Sequence, residues 1–352
     1  MNIFITGFPG FIAGRLVEKL ARSEARFFLL VQPDFVARAA SEIEKIAART
    51  NVSPDNFQLL EGDITRPNLG LSTKDLALIR AETTDVYHLA AVYDLAVKKD
   101  LAFRVNVEGT KNVNALVKTI SNLNRYNYIS TCYVAGKRTG NILETELVHH
   151  AGFRNYYEET KYLAEIEVEE LKNQLPTVIF RPSVVVGDSH TGETVKYDGI
   201  YSLILYLRKF PALFSLFNIG NDVVKLNLVP VDFVVNAISA LAQDEGVISQ
   251  TLQLADPAPL TTRELFDTVS EHLANRKSAI SFPAALVEKS LMSPITPVLS
   301  GLPQVGVPYF FLEQIYDTTF AQKSLASHGV FCPPFPAYTK NLLNFVAAHP
   351  KL

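Results

Sequence analysis

Asn2-Ile3-Phe4-Ile5-Thr6-Gly7-Phe8-Pro9-Gly10-Phe11-Ile12-Ala13-Gly14-Arg15-Leu16 runs from β-formers through a glycine-rich break into an apolar pattern of helical spacing that continues at Val17 and Leu20. The reading is strand, turn, helix. Gly7 permits the tight turn, Gly10 lets a pyrophosphate approach the backbone, and the small Ala13 lets the helix pack closely on its strand. Phe8, Pro9, Phe11 and Ile12 fill the loop and the first helical turn, whose N–H groups face the phosphates. A G-x-x-G-x-x-A spacing alone also occurs in plain turns. Set straight after a strand, it predicts a dinucleotide site.

Outward from this unit, strands are predicted at 27–31, 57–60, 85–89, 126–129 and 177–180, with helices at 35–48, 101–119 and 156–171. Strands alternating with helices at this spacing imply the α/β class, a doubly wound parallel Rossmann sheet with its ligand beyond the strand C-termini. Two strand ends are marked: Glu61-Gly62-Asp63-Ile64 and His88-Leu89-Ala90-Ala91. Beyond Arg181-Pro182 the pattern loosens into apolar segments at 200–219, a strand at 226–229 and a helix at 232–242. Prolines recur from Pro283 to Pro308 in an apolar background, which suits a cap or lid more than a sheet. The expected division is a dinucleotide-binding domain at 1–182 and a smaller, mostly helical substrate-binding lobe at 183–352, with 225–255 free to return to the main sheet.

Composition narrows the class further. With 352 residues the chain can bury a large core, and a net charge of −3 offers no basic field for nucleic acid. Cys132 and Cys332 are the two cysteines. They form no C-x-x-C, and H-E-x-x-H is absent, so no metal site and no disulfide framework is expected. A reducing, cytoplasmic setting follows, and no secretory signal is visible. Arg208, Lys209 and Pro211 split the most apolar segment into short halves, so it should not span a bilayer, although a surface helix can still touch one.

The chemistry is expected from two distant pieces. Ser130-Thr131-Cys132-Tyr133-Val134 ends a strand, and Tyr157-Glu158-Glu159-Thr160-Lys161 opens the following helix. Tyr157 and Lys161, four apart, share one helix face. Tyr156 offers a competing register, but its fourth neighbour is Thr160. A tyrosine of pKa near 10 is a poor acid–base catalyst at neutral pH, and lowering it by about 3 units needs roughly 4 kcal/mol. Lys161 and the positive charge of an oxidised nicotinamide are the expected sources. Thr131 would hold the substrate oxygen while Tyr157 transfers the proton. Asn106 is a further candidate, to position the lysine or a water, or equally to tie a helix to a neighbouring strand. His88 reads as the end of a buried strand and Cys132 as a packing residue.

Together TGFPGFIAG, GDI, HLAA, NVEGT, IST, YEETK and RPSVVVGD resemble the extended short-chain dehydrogenase/reductase family. The segments RPSVVVGDSHTGETVKYDGIY and LVPVDFVVNAI are most similar to its fatty acyl-CoA reductase and thioester-reductase branch. The resemblance implies a Rossmann fold, a nicotinamide cofactor, and hydride transfer with Thr131, Tyr157 and Lys161 as hydroxyl, acid–base tyrosine and lysine. It further implies that Asp63 and Ile64 flank the adenine, that Leu89, Ala90 and Ala91 line the cofactor, and that Pro182, Ser183 and Val184 sit by the nicotinamide.

Cofactor choice turns on the tip of the second strand, where an acid would bond the ribose 2′-OH of NAD. Gln32 stands there, with Asp34 two places on. NADP(H) is favoured over NAD(H), with Arg15 or Arg38 to meet the extra phosphate. The expected enzyme is an NADPH-dependent reductase of a long-chain fatty acyl thioester or fatty aldehyde, its substrate held under a lid built from 200–219 and 283–311. Two alternatives stand beside it: an alcohol dehydrogenase or ketoreductase on a hydroxylated lipid or sterol, and a catalytically silent dinucleotide-binding regulator. A homodimer is the oligomer to look for.

Overall fold

Residues 1–209, 211, 217–218, 222–292 and 304–351 are described by the computed structural model. Seven strands form one parallel sheet: β1 (Asn2–Thr6), β2 (Arg26–Val31), β3 (Phe57–Glu61), β4 (Asp85–His88), β5 (Arg125–Ile129), β6 (Thr177–Pro182) and β7 (Thr251–Leu254). Their order is β7-β6-β5-β4-β1-β2-β3. The chain winds outward from β1 to β3, then crosses back to place β4 on the other side of β1. The strand order therefore reverses between β1 and β4, which opens a crevice at their C-terminal ends.

Helices cover both faces because the strands are apolar on both. Ile3 and Ile5 of β1 pack with Phe27, Leu29, Phe180 and Leu254 against α1 (Phe11–Leu20) and, further along the chain, against Val231–Leu241. Phe4, between them, points to the opposite layer with Phe28, Val86, Tyr126 and Tyr128. That layer is closed by α3 (Thr73–Glu82), α4 and α5 (Tyr156–Glu169), while α2 (Val36–Thr50) lies on the first face. Helix α4 joins an α turn, Lys99–Ala102, through a π-helical stretch, Phe103–Glu108, to an α-helix, Gly109–Val117. The second half adds α6 (Ile200–Lys209), α7 (Val231–Leu241), α8 (Thr262–Ala274), α9 (Ala284–Leu291), α10 (Thr319–Ser327) and α11 (Phe335–Ala348). No described helix is long and apolar enough to cross a membrane.

Three details depart from expectation. Helix α3 has no counterpart in the sequence reading, because only Leu76 and Ile79 of its ten residues are buried and its apolar signal is weak; Ser72 starts it by accepting from the Asp75 N–H at 3.1 Å. The strand expected at 226–229 forms at Leu228–Pro230 and pairs with Val184–Val186 outside the main sheet, whereas Thr251–Leu254 joins the sheet beside β6. The apolar segment at 200–209 is no lid. Ile200, Leu203, Ile204 and Leu207 are buried with Leu265, Phe266, Leu342 and Val346 in a third core, since α6 faces α8 and α11. Of the other expected lid positions, 210, 212–216, 219 and 293–303 lie outside the described residues.

Candidate active site

The loop between β1 and α1 is closed by the Gly10 N–H donating to Gly7 O at 2.8 Å. Gly7 has φ +94°, and a Cβ there would lie 2.8 Å from the Ala90 nitrogen, so a side chain would collide with the loop after β4. At Gly10 a Cβ would lie 2.7 Å from Gly7 O. Gly10 is also the N-cap of α1 and supplies no capping side chain. The first-turn N–H groups are thus left for an anion. They open on a cleft of about 660 Å3 at the sheet's reversal point.

This cleft brings together nearly all the expected cofactor residues. Gly7, Phe8, Pro9, Gly10, Phe11 and Ile12 form one wall; Leu89, Ala90 and Ala91 the floor; Pro182, Ser183 and Val184 the far side; Gln32 and Ile64 lie toward the tip of β2. A cradle without Cβ atoms, an uncapped helix start and an elongated apolar floor fit a dinucleotide. Arg38 of α2 lines the Gln32 end, whereas Asp34 does not. Arg15 is committed elsewhere, to Asp188 at 2.9 Å and Glu193 at 2.8 Å, which removes it as a phosphate partner.

Thr131, Tyr157 and Lys161 line the same cleft. Thr131, two residues past the end of β5, caps a short 3-10 turn, accepting from the Tyr133 N–H at 3.2 Å. Asn155 starts α5 by accepting from Glu158 N–H at 3.0 Å, which turns Tyr157 and Lys161 inward. Tyr157 meets Tyr93 edge to face at 5.2 Å. Burial pushes its phenol well above the usual 10, against a hydrogen bond with Thr131. Lys161 does not lower it: the ammonium donates instead to the Tyr128 hydroxyl and the Ile129 carbonyl, each at 2.9 Å. Burial pushes Lys161 down to about 7, with the Glu165 carboxylate opposing. The tyrosine is thereby protonated at neutral pH, the form a proton donor requires.

Two expected residues stand off the cleft. Asp63 is absent from its lining and accepts from the Thr65 N–H at 2.8 Å; burial raises its carboxyl, but the bonds from Thr65 and Gln32 and the charge of Arg66 leave it below the usual range. Asn106, buried in the π-helical stretch of α4, bonds the Val92 N–H at 2.8 Å and the Thr160 hydroxyl at 3.0 Å. It ties the loop after β4 to α5, the structural of its two expected roles. His88 ends β4 between Thr6 and Thr110, and burial pushes it down to about 3. The buried Cys132 thiol, raised by desolvation, donates to Arg181 O at 3.1 Å and is no nucleophile.

Sequence reasoning missed a polar clamp beneath the site. Glu165, one turn beyond Lys161, accepts two bonds from Arg181 at 2.8 and 2.6 Å and one from the Ser130 hydroxyl. The signal was present as Tyr157, Lys161 and Glu165 at successive fourth positions. Also missed were Val92, Tyr93 and Tyr133, and the segment Thr194, Val195, Lys196 and Asp198, which line the cleft beyond Thr131 and Tyr157. Among the described residues no cluster of three or more His, Cys, Asp or Glu is placed to hold a metal ion.

With the geometry in place, comparison identifies similar proteins. A family model described as "Male sterility protein" matches residues 5–238. The chain is 28% identical over 281 residues to "Fatty acyl-CoA reductase wat" of Drosophila melanogaster, covering 69% of this chain and 54% of that one. It is 25% identical over 352 residues to "Fatty acyl-CoA reductase 1" of Arabidopsis thaliana, covering 78% and 71%. The chain thus spans about half the length of the fly relative. Among solved structures, the terminal R domain from the myxalamid PKS-NRPS biosynthetic pathway superposes with a TM-score of 0.82 at 24% identity, covering 100% of this chain and 91% of that one, which establishes the shared fold.

Proposed function

The chain belongs to the male sterility protein family, and from that membership we propose that it is an NADPH-dependent reductase of a long-chain fatty acyl thioester or fatty aldehyde. The observation that carries the reading is the convergence of Thr131, Tyr157 and Lys161 on the cleft that the Gly7–Gly10 turn opens. A nicotinamide dinucleotide bound there would supply the hydride. Thr131 and Tyr157 present hydroxyls to one point, where a carbonyl oxygen would be held and its developing negative charge stabilised. Tyr157 then gives that oxygen its proton, with the Lys161 ammonium lining the same cleft as its cation, and a thioester adduct would collapse with loss of its thiol. The walls beyond them set the apolar Val92, Tyr93, Tyr133 and Val195 beside Thr194, Lys196 and Asp198, and the apolar four would carry an acyl chain. Carbonyl reduction also agrees with the reductase names of the relatives.

The test is whether NADPH consumption depends on an added acyl-CoA or long-chain aldehyde, with free CoA thiol released from the one or the carbonyl lost from the other in step. Consumption with neither, or with sugar nucleotides alone, overturns the reading.

Cofactor preference rests on Gln32 and Arg38, a neutral side chain and a cation at the β2 tip where NAD sites place an acid. NADPH should bind at least about tenfold tighter than NADH, since a charge-assisted bond to the 2′-phosphate is worth roughly 1.5–3 kcal/mol. Arg38→Ala should bring the two affinities within about threefold. Fluorescence titration with both cofactors decides this; an unchanged preference in the variant would remove Arg38 from the account.

A further inference from the structure

Lys161 lies at the end of a buried polar chain that no catalytic step uses. Its Nζ donates to the Tyr128 hydroxyl and the Ile129 carbonyl, so two of its three protons are held from the β5 side. The third is left for the cleft, which Lys161 lines. Tyr128 is only 1% exposed. Beside it the His88 ring lies 5.5 Å away between ring centroids. The Thr110 hydroxyl donates to Asn106 O at 2.7 Å, so its oxygen accepts from His88 Nε2 at 3.1 Å. That assignment leaves His88 Nδ1 to accept from Thr6 at 2.7 Å. The Tyr128 oxygen presents a lone pair to the ammonium.

We propose that Tyr128 is a positioning residue for Lys161: its hydroxyl keeps the buried lysine charged and aimed at the cleft. The proposal rests on the reading that Lys161 acts there as a cation. The groups facing Lys161 are few. Glu165 lies one turn on along α5 and is shared with Arg181 of β6, Tyr157 lies one turn back, and His88 on β4 is neutral. The Tyr128 ring also sits under the ammonium, 4.5 Å from its centroid, a contact that a phenylalanine keeps. Tyr128→Phe therefore removes the hydrogen bond alone.

The sign follows from burial, which already pulls Lys161 down to about 7. Losing an acceptor favours the neutral amine, so activity that needs the cation is lost at lower pH. The profile of kcat/KM against pH should show an alkaline limb near neutrality, displaced downward in Tyr128→Phe by about one to two pH units, the equivalent of a bond to a charged group. Activity should return toward that of the unsubstituted protein on the acid side of the displaced limb. A limb that stays put, or a loss equal at every pH, overturns the proposal. Lys161→Met, measured alongside by turnover and NADPH affinity, separates the two readings. If it changes neither, the role given to Lys161 fails; if it impairs them while the limb stays put, only the role of Tyr128 fails.

Discussion

Replacing Tyr157 by Phe is expected to lower kcat by about 100-fold or more and to leave NADPH affinity within about twofold. The hydroxyl is the group proposed to meet the substrate oxygen, whereas the ring packs edge to face on Tyr93 in a way that Phe reproduces. The burial that raises the phenol's pKa keeps it a proton donor and also makes its loss costly. Water cannot readily take over a position that is only 5% exposed. Turnover and cofactor titration on the same preparation check the split between chemistry and binding. Near-normal turnover would take the proton donor away from Tyr157.

The second large effect is on stability. Arg181 and Glu165 are 1% and 0% exposed, and removing one partner of a buried pair leaves the other charge uncompensated. Arg181→Met should cost about 3–5 kcal/mol in urea unfolding, because the Glu165 carboxylate then keeps only the Ser130 hydroxyl. The Glu146 carbonyl would also lose its bond from Arg181 at 3.0 Å. The double change Glu165→Leu with Arg181→Met removes both charges and should recover most of that loss. Equal losses in the single and double variants would show that the pair acts through packing alone. The clamp joins Ser130, beside Thr131, to the helix carrying Tyr157 and Lys161, so it also ties together the two proposed catalytic pieces.

Much of this was legible in the chain. The β1–Gly7–α1 unit is local, its glycines answering to steric demands within a few residues, and the Tyr157–Lys161 spacing is a helix property. What was not legible depended on distant partners. Arg15 looked free on its helix, yet Asp188 and Glu193, more than 170 residues away, claim it. Glu165 sits among Glu167, Glu169 and Glu170 and reads as one more solvated acid until β6 brings Arg181 to it. Asn106 faces Val92 and Thr160 from a π-helical stretch, a departure from helical period that apolar spacing does not announce. The apolar run of α6 is equally consistent with a lid and with a core. Only the arrival of α8 and α11 decides for the core.

The central claim, a long-chain acyl substrate on this cleft, is tested most directly by kcat/KM for NADPH-dependent reduction of acyl-CoAs from about four to about eighteen carbons. Each methylene buried along Tyr93, Tyr133 and Val195 should contribute up to about 0.8 kcal/mol, or roughly fourfold, so the profile should climb steeply until the pocket is full and then level. A profile flat across all chain lengths, or activity confined to the shortest substrates, would contradict the account.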